Sequence, residues 1–186
     1  GSKSLVYGLD DRGARFVGER LGLSIASGDW KTRNRRYTRE NLDHTLSVTR
    51  FLIDLELACA PRPDVELITF EEIVAAAPAA TQRSPQPGRW KVPVRWNGMS
   101  GDIMVVPDAI FGLRRTSTDG SQRRSFVFLE IDRGTMTIAP NEHVRDGDAF
   151  LHRTSILRKL VTYANSHVLD LHREHLGIPV ARVLTL

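Results

Sequence analysis

Three acidic residues stand in apolar segments, where carboxylates are poorly solvated. Asp108 lies within the run 102–113, and Glu130 and Asp132 end the run 125–132. Side chains alternate between the faces of a strand, so Glu130 and Asp132 share one face. Clustered like charges destabilise a fold unless a cation or proton compensates them, and hard oxygen ligands favour Mg²⁺ or Mn²⁺. Asp108 and Glu130 are therefore candidate metal ligands, and an ion held there would activate water and stabilise charge on a phosphate.

The register of a predicted hairpin decides whether these acids meet. The segment between the two runs carries the turn signal Asp119-Gly120. If the hairpin is centred on Asp119, Asp108 lies opposite Glu130 and shares its face. A two-residue loop would instead pair Ala109 with Glu130 and send Asp108 to the other face. The site therefore requires an odd-numbered loop or a bulge; the alternative is that the acids are exposed at the end of the sheet and pair with arginines.

Lys159 and Tyr163 are one turn apart on a predicted helix over residues 150–168. Lys159 is one step from the stripe that we predict to be buried, so it could assist chemistry at the sheet edge. The alternative is a boundary lysine whose stem covers apolar surface. The predicted stripe consists of Leu157, Leu160, Val161, Ala164 and Val168.

His44 falls on the apolar face of a long helix predicted from residue 39 to residue 60, together with Val48, Phe51, Leu55 and Ala58. This position gives two interpretations. His44 either lines the acidic pocket or is a boundary histidine bonded to a backbone group.

Basic residues cluster within 28–40, where Trp30 and Tyr37 stand among them. The chain has 26 Lys and Arg against 22 Asp and Glu, a net charge of +4. Cations interleaved with aromatic rings contact phosphates and stack on bases, although a solvated loop has the same composition. The predicted nucleic-acid contacts are Lys31, Arg33, Arg35 and Arg36, and a second basic group comprises Arg114, Arg115, Arg123 and Arg124.

Composition indicates a folded domain without internal disulfide bonds. Of the 186 residues, 41% are hydrophobic and 26% charged, which is typical of globular proteins and not of disordered ones. The single cysteine, Cys59, excludes an internal disulfide and suggests a cytoplasmic setting. No run approaches the ~18 apolar residues of a membrane span. His172 and His175 lack a third ligand, so we predict an ordinary surface helix there.

The order of elements predicts an α/β domain with a central mixed sheet flanked by helices. A helix is followed by two strands, a hairpin of two further strands, a second helix and a final strand. The predicted strands cover residues 65–70, 90–96, 102–113, 125–132 and 180–186.

Two motifs carry a resemblance to known families. Pro107-Asp108 on one strand and Glu130-Ile131-Asp132 on the next are similar to the core of the PD-(D/E)XK nucleases. The chain more narrowly resembles the replication-relaxation family of plasmid and mobile-element proteins. That likeness is carried by Trp30, residues 44–48, 107–109 and 128–135, and Lys159 with Tyr163.

The resemblance implies a restriction-endonuclease-like α-β-β-β-α-β core over residues 28–186, with residues 1–27 as the remnant of a winged-helix domain or a linker. It implies DNA as partner, with replication proteins or a second copy of the chain as further candidates, and Mg²⁺ or Mn²⁺ as cofactor. The implied catalytic residues are Asp108, Glu130, Asp132 and Lys159.

Asp132 departs from the nuclease pattern, because the nucleases usually carry lysine at this position. Two functions therefore stay open: a metal-dependent DNA endonuclease in which Lys159 substitutes, and a non-catalytic DNA-binding accessory that keeps the fold. A third is a partner-binding module without nucleic acid, in which the basic segment folds against the acids.

Overall fold

The computed structural model describes residues 9–22, 39–132, 134, 137–139 and 149–186. The chain divides into two compact units, residues 1–46 and 47–186. The domain boundary predicted at residue 27 lies outside the described residues, as does the strand predicted over residues 5–9 apart from Leu9.

The residues that the structure describes form seven helices and six strands, which is one strand more than the five predicted there. The helices are α1 (Asp11–Leu21), α2 (Arg39–Cys59), α3 (Phe70–Ala76), α4 (Ala79–Gln82), α5 (Ala149–His152), α6 (Ile156–Val168) and α7 (Leu171–Leu176). The strands are β1 (Val65–Ile68), β2 (Trp90–Trp96), β3 (Met99–Val105), β4 (Ala109–Thr116), β5 (Gln122–Glu130) and β6 (Ala181–Thr185).

The larger sheet has the order β1-β4-β5-β6, with β5 and β6 parallel and the other neighbours antiparallel. This confirms a mixed central sheet flanked by helices. Helix α2 covers one face through the ring contact of Phe51 with Phe111, and α6 lies on the other through Tyr163 on Phe128. The parallel pair requires the crossover that α5, α6 and α7 supply.

The hairpin of β4 and β5 has the register that the site requires. Ala109 pairs with Leu129 and Thr116 with Gln122, so the hairpin is centred on Asp119. The Ser117 amide donates to the Ser121 carbonyl at 2.8 Å, which leaves an odd-numbered loop. Both strands extend further toward the turn than predicted, because they include the four arginines assigned to the loop.

The run 102–113 is not one strand, and this part of the prediction was wrong. Strand β3 ends at Val105 and pairs only with β2, in a separate two-stranded sheet, whereas β4 begins at Ala109. Pro107 lies in the break, where it has no ladder amide to donate. The prediction missed the pairing of β2 with β3. The Asn97-Gly98 turn joins these two strands, and its φ angles of 47° and 78° are typical of a tight hairpin.

The helix predicted over residues 150–168 is interrupted before α6. Ser155 caps α6, because its side chain accepts from the Arg158 amide at 3.1 Å. The predicted buried stripe is wrong in part: Leu160, Ala164 and Val168 are exposed, whereas Thr162, Tyr163 and Ser166 are buried. These polar side chains are buried because each has a hydrogen-bond partner.

The core lies between the two-stranded sheet of β2 and β3, helix α6 and the large sheet. Trp90 of β2 is buried there, and its indole Nε1 donates to the Ser166 hydroxyl of α6 at 2.9 Å. Its ring also lies 5.3 Å from that of Phe128. The two-stranded sheet of β2 and β3 is thus hydrogen-bonded to α6 through Trp90, and the same ring contacts the large sheet at Phe128.

We expect Trp90→Phe to lower the free energy of unfolding by about 2 kcal/mol, because it leaves the buried Ser166 hydroxyl without its partner. Urea unfolding monitored by circular dichroism measures the loss. The double variant Trp90→Phe/Ser166→Ala is the control and should recover part of it, since no orphaned polar group remains. No recovery would show that the indole acts through packing alone.

Candidate functional site

Glu130 is a buried carboxylate at the end of β5, with only 5% of its surface exposed. The Lys159 ammonium donates to its Oε2, and the Tyr163 hydroxyl donates to its Oε1. Both donors come from α6, where the four-residue spacing places them on adjacent turns of one face. Strand β5 and helix α6 therefore bring together three of the predicted site residues.

Asp108 binds the backbone on both sides of Glu130. Its amide donates to the Leu129 carbonyl at 2.9 Å, and its Oδ2 accepts from the Ile131 amide at 2.8 Å. These bonds hold Asp108 beside the end of β5, as the register predicts.

The two carboxylates border different cavities. Glu130 lines two cavities beside α6, and Asp108 lines a third of about 620 Å³ between α2 and β4. Asp108 thus lies in the link between β3 of the small sheet and β4 of the large sheet, whereas Glu130 ends β5.

Burial raises the pKa of Glu130 above its ordinary value. The hydrogen bonds and the charge of Lys159 lower this pKa but do not cancel the cost of burial, and the nearby Asp108 charge adds a smaller increase. The sequence indicated that crowded carboxylates would raise one pKa; here desolvation is the larger cause. Burial and the Glu130 carboxylate also raise the pKa of Tyr163, so its phenol stays protonated and donates.

Asp132 follows β5 and is fixed by the backbone. Its amide donates to the Leu186 carbonyl at 2.7 Å, and the Leu186 amide donates to the Glu130 carbonyl at 3.0 Å. Asp132 shares a cavity of about 10 Å³ with Glu130 and Lys159, a volume that holds about one water molecule. The acidic residue at the usual lysine position therefore lies beside the lysine that α6 provides.

Other predicted residues are not part of this group. His44 is half-buried on α2 and belongs to the first unit, residues 1–46. Lys31, Arg33, Arg35 and Arg36 lie outside the described residues, so their contact with nucleic acid stays a prediction.

Two features of the site region were not predicted. Arg158, adjacent in sequence to Lys159, lines a cavity of about 210 Å³ that also borders Glu130. His172 is buried rather than on the surface, with its ring nitrogens 3.4 Å and 3.3 Å from the carbonyls of Ser166 and Pro179. Neither residue has a sequence signal that separates it from other basic side chains.

The donor chemistry of Asp108 and Glu130 suits a hard divalent cation. In the part of the chain that the structure describes, no three His, Cys, Asp or Glu side chains converge on one point. Mg²⁺ does not require such a cage, because it commonly binds one or two carboxylates and takes its other ligands from water and substrate phosphates. The oxygens of the two acids are the donor type of that mode of binding, and their joint contact with one ion stays a prediction.

The fold and the site define a mixed α/β protein with an acid, lysine and tyrosine cluster at the end of its central strand. The chain belongs to the replication-relaxation family, whose model matches residues 1–167. This membership points to a role in the replication of plasmids or mobile elements. No curated protein and no solved structure matches the chain significantly. None of the described helices is both long and apolar enough to cross a membrane.

Proposed function

We propose that this protein acts on DNA during plasmid or mobile-element replication, through metal-dependent phosphodiester cleavage at a PD-(D/E)XK-like site. The observation that carries the proposal is the contact of Lys159 with Glu130 beside Asp108. Helix α6 thereby supplies a lysine near the position after β5 that Asp132 occupies and where the nucleases usually carry lysine. Two carboxylates and a cation next to a sheet end are the groups that this chemistry needs.

In the proposed reaction Asp108 and Glu130 would hold Mg²⁺ or Mn²⁺, and the chemistry that the ion would supply is polarisation of a water molecule and neutralisation of charge on the phosphate. The Lys159 ammonium would stabilise the same charge by exchanging Glu130 for a phosphate oxygen. Tyr163 keeps the Glu130 carboxylate oriented through its hydroxyl.

Two rows of arginine support an anionic partner. Arg114 lies opposite Arg124, and Arg115 opposite Arg123, on the hairpin of β4 and β5. Like charges directly across a strand pair are destabilising, and of these four arginines only the two on β4 form ion pairs with described residues, Arg114 with Glu66 and Arg115 with Asp64. A phosphate backbone along the hairpin would offset the remaining repulsion.

The second candidate is a DNA-binding accessory without catalysis. Two observations favour it: both carboxylate oxygens of Glu130 already accept from the protein, and Asp108 lines a different cavity. In this function the cluster is a structural device that holds α6 on β5.

Calorimetric titration with Mn²⁺ separates the two candidates. We expect the wild type to bind Mn²⁺ and Asp108→Asn to lose at least about tenfold in affinity, because one of two carboxylate ligands becomes a neutral amide. The matched control is Asp102→Asn, which changes an exposed acid of β3 that pairs with Lys91. Its affinity should equal that of the wild type.

Equal Mn²⁺ affinity in the wild type and Asp108→Asn, or no heat of binding, would refute the metal site. Cleavage of supercoiled plasmid with Mn²⁺ completes the test. Intact DNA binding with no cleavage under any divalent metal would leave the accessory function.

A further inference from the structure

Arg158 is a cation at the edge of the site that has no anionic partner within the described part of the chain. Among the described residues it makes no ion pair, and its Nε is buried with no hydrogen-bond partner. Arg114 also has a buried Nε without a partner, but its guanidinium binds Glu66. A buried donor with no acceptor is costly, so Arg158 is the less compensated of the two.

The cavity beside Arg158 is large enough for a ligand. Its volume of about 210 Å³ is far above the roughly 10–15 Å³ that a single water molecule needs. Arg158, Lys159 and Thr154 contribute polar groups to its wall, and β3 contributes apolar side chains. Of its charged lining residues, Glu130 is paired with Lys159, which leaves Arg158 as the uncompensated charge.

We propose that this cavity binds a phosphate group of a nucleic-acid backbone through Arg158, next to the Glu130 site. The planar guanidinium offers paired donors that match two phosphate oxygens, which a lysine does not. The nucleic-acid source of the phosphate rests on the proposed function, whereas the binding of phosphate oxygens rests on the cavity and the orphaned donor. Desolvation, the single cause of the lowered pKa of Arg158, is consistent with a guanidinium that has no counter-charge.

The test uses the full chain without divalent metal, in EDTA. Thermal unfolding is measured in sodium phosphate and in sodium chloride of equal ionic strength, for the wild type, Arg158→Met, Arg158→Lys and Arg153→Met. Arg153 is an exposed arginine five residues away and is the matched control. Binding of a short duplex DNA is measured on the same four proteins.

We expect phosphate to raise the Tm of the wild type and of Arg153→Met but not that of Arg158→Met. In chloride, Arg158→Met should unfold a few degrees higher than the wild type, because a poorly compensated cation has been replaced by an apolar side chain of similar length. Its DNA affinity should fall about tenfold, with a salt dependence smaller by about one phosphate contact. Arg158→Lys should keep only part of the phosphate response.

A phosphate response that survives in Arg158→Met, or is missing from the wild type, would overturn the site. Loss of the phosphate response with unchanged DNA affinity would keep the phosphate site and overturn its nucleic-acid source. Because metal is absent throughout, failure of this test leaves the Mn²⁺ titration unaffected, and failure of the titration leaves this test unaffected.

Discussion

Replacement of Lys159 by methionine is expected to lower the free energy of unfolding by about 3 kcal/mol at pH 8, because it leaves the buried Glu130 carboxylate without its ion pair. The Tyr163 hydroxyl still donates to Glu130, which keeps the loss near the lower end for buried pairs. The loss should shrink toward pH 5, since Glu130 then takes up a proton in the native state and no buried charge remains. Urea unfolding at the two pH values measures both effects.

The matched control is Lys91→Met, which removes a lysine charge from an exposed ion pair with Asp102 between β2 and β3. Exposed pairs contribute about 0–1 kcal/mol, so this variant should be close to the wild type at both pH values. If Lys159→Met were equally mild, the contact with Glu130 would contribute nothing to stability in solution.

Glu130→Gln is expected to abolish DNA cleavage, by at least about 100-fold, without lowering the stability of the fold at neutral pH. The amide loses the charge that would bind a metal, while its oxygen still accepts from Tyr163 or Lys159. Burial of the carboxylate outweighs its contacts, as the raised pKa indicates, so removing the charge does not destabilise. Plasmid cleavage with Mn²⁺ and urea unfolding are the two measurements.

The difference in unfolding free energy between Glu130→Gln and the wild type should change with pH in one direction. Between the ordinary carboxyl pKa of ~4.3 and the raised native value, the native protein holds a proton that the unfolded chain releases. The stability contributed by wild-type Glu130 is therefore full below the ordinary pKa and is lost as pH rises through the raised one. Stability relative to wild type should thus shift in favour of Glu130→Gln with rising pH; a shift in the opposite direction would contradict the raised pKa.

The sequence predicted the positions of the acids because two simple periodicities determine them. Alternation along a strand and a hairpin centred on Asp119 place Asp108 beside the end of β5, and the structure has this register. The shared face predicted for Asp108 and Glu130 stays a prediction, because the two side chains line different cavities. The spacing of Lys159 and Tyr163 likewise places both on one face of α6. The contact of both side chains with the same carboxylate depends on how α6 packs, which local spacing does not determine.

The errors arise where tertiary contacts outweigh local pattern. The apolar run 102–113 gives no periodic signal at Pro107, although the Asn97-Gly98 turn marks a separate hairpin. The buried face of α6 was misjudged because hydrophobicity alone ranks Leu160 above Ser166. Ser166 is buried because it accepts from Trp90, a pairing between residues 76 positions apart.

The anchoring of the hairpin on α6 has a mechanical consequence. Trp90 ties β2 to the helix that carries Lys159, whereas Glu130 ends β5 of the large sheet and Asp108 immediately precedes β4. The same Trp90 ring contacts Phe128 of the large sheet, so the small sheet touches both the helix that holds the lysine and the strand that holds Glu130. We therefore expect a displacement of β2 and β3, such as one caused by a bound duplex, to change the distance between the Lys159 ammonium and the Glu130 carboxylate.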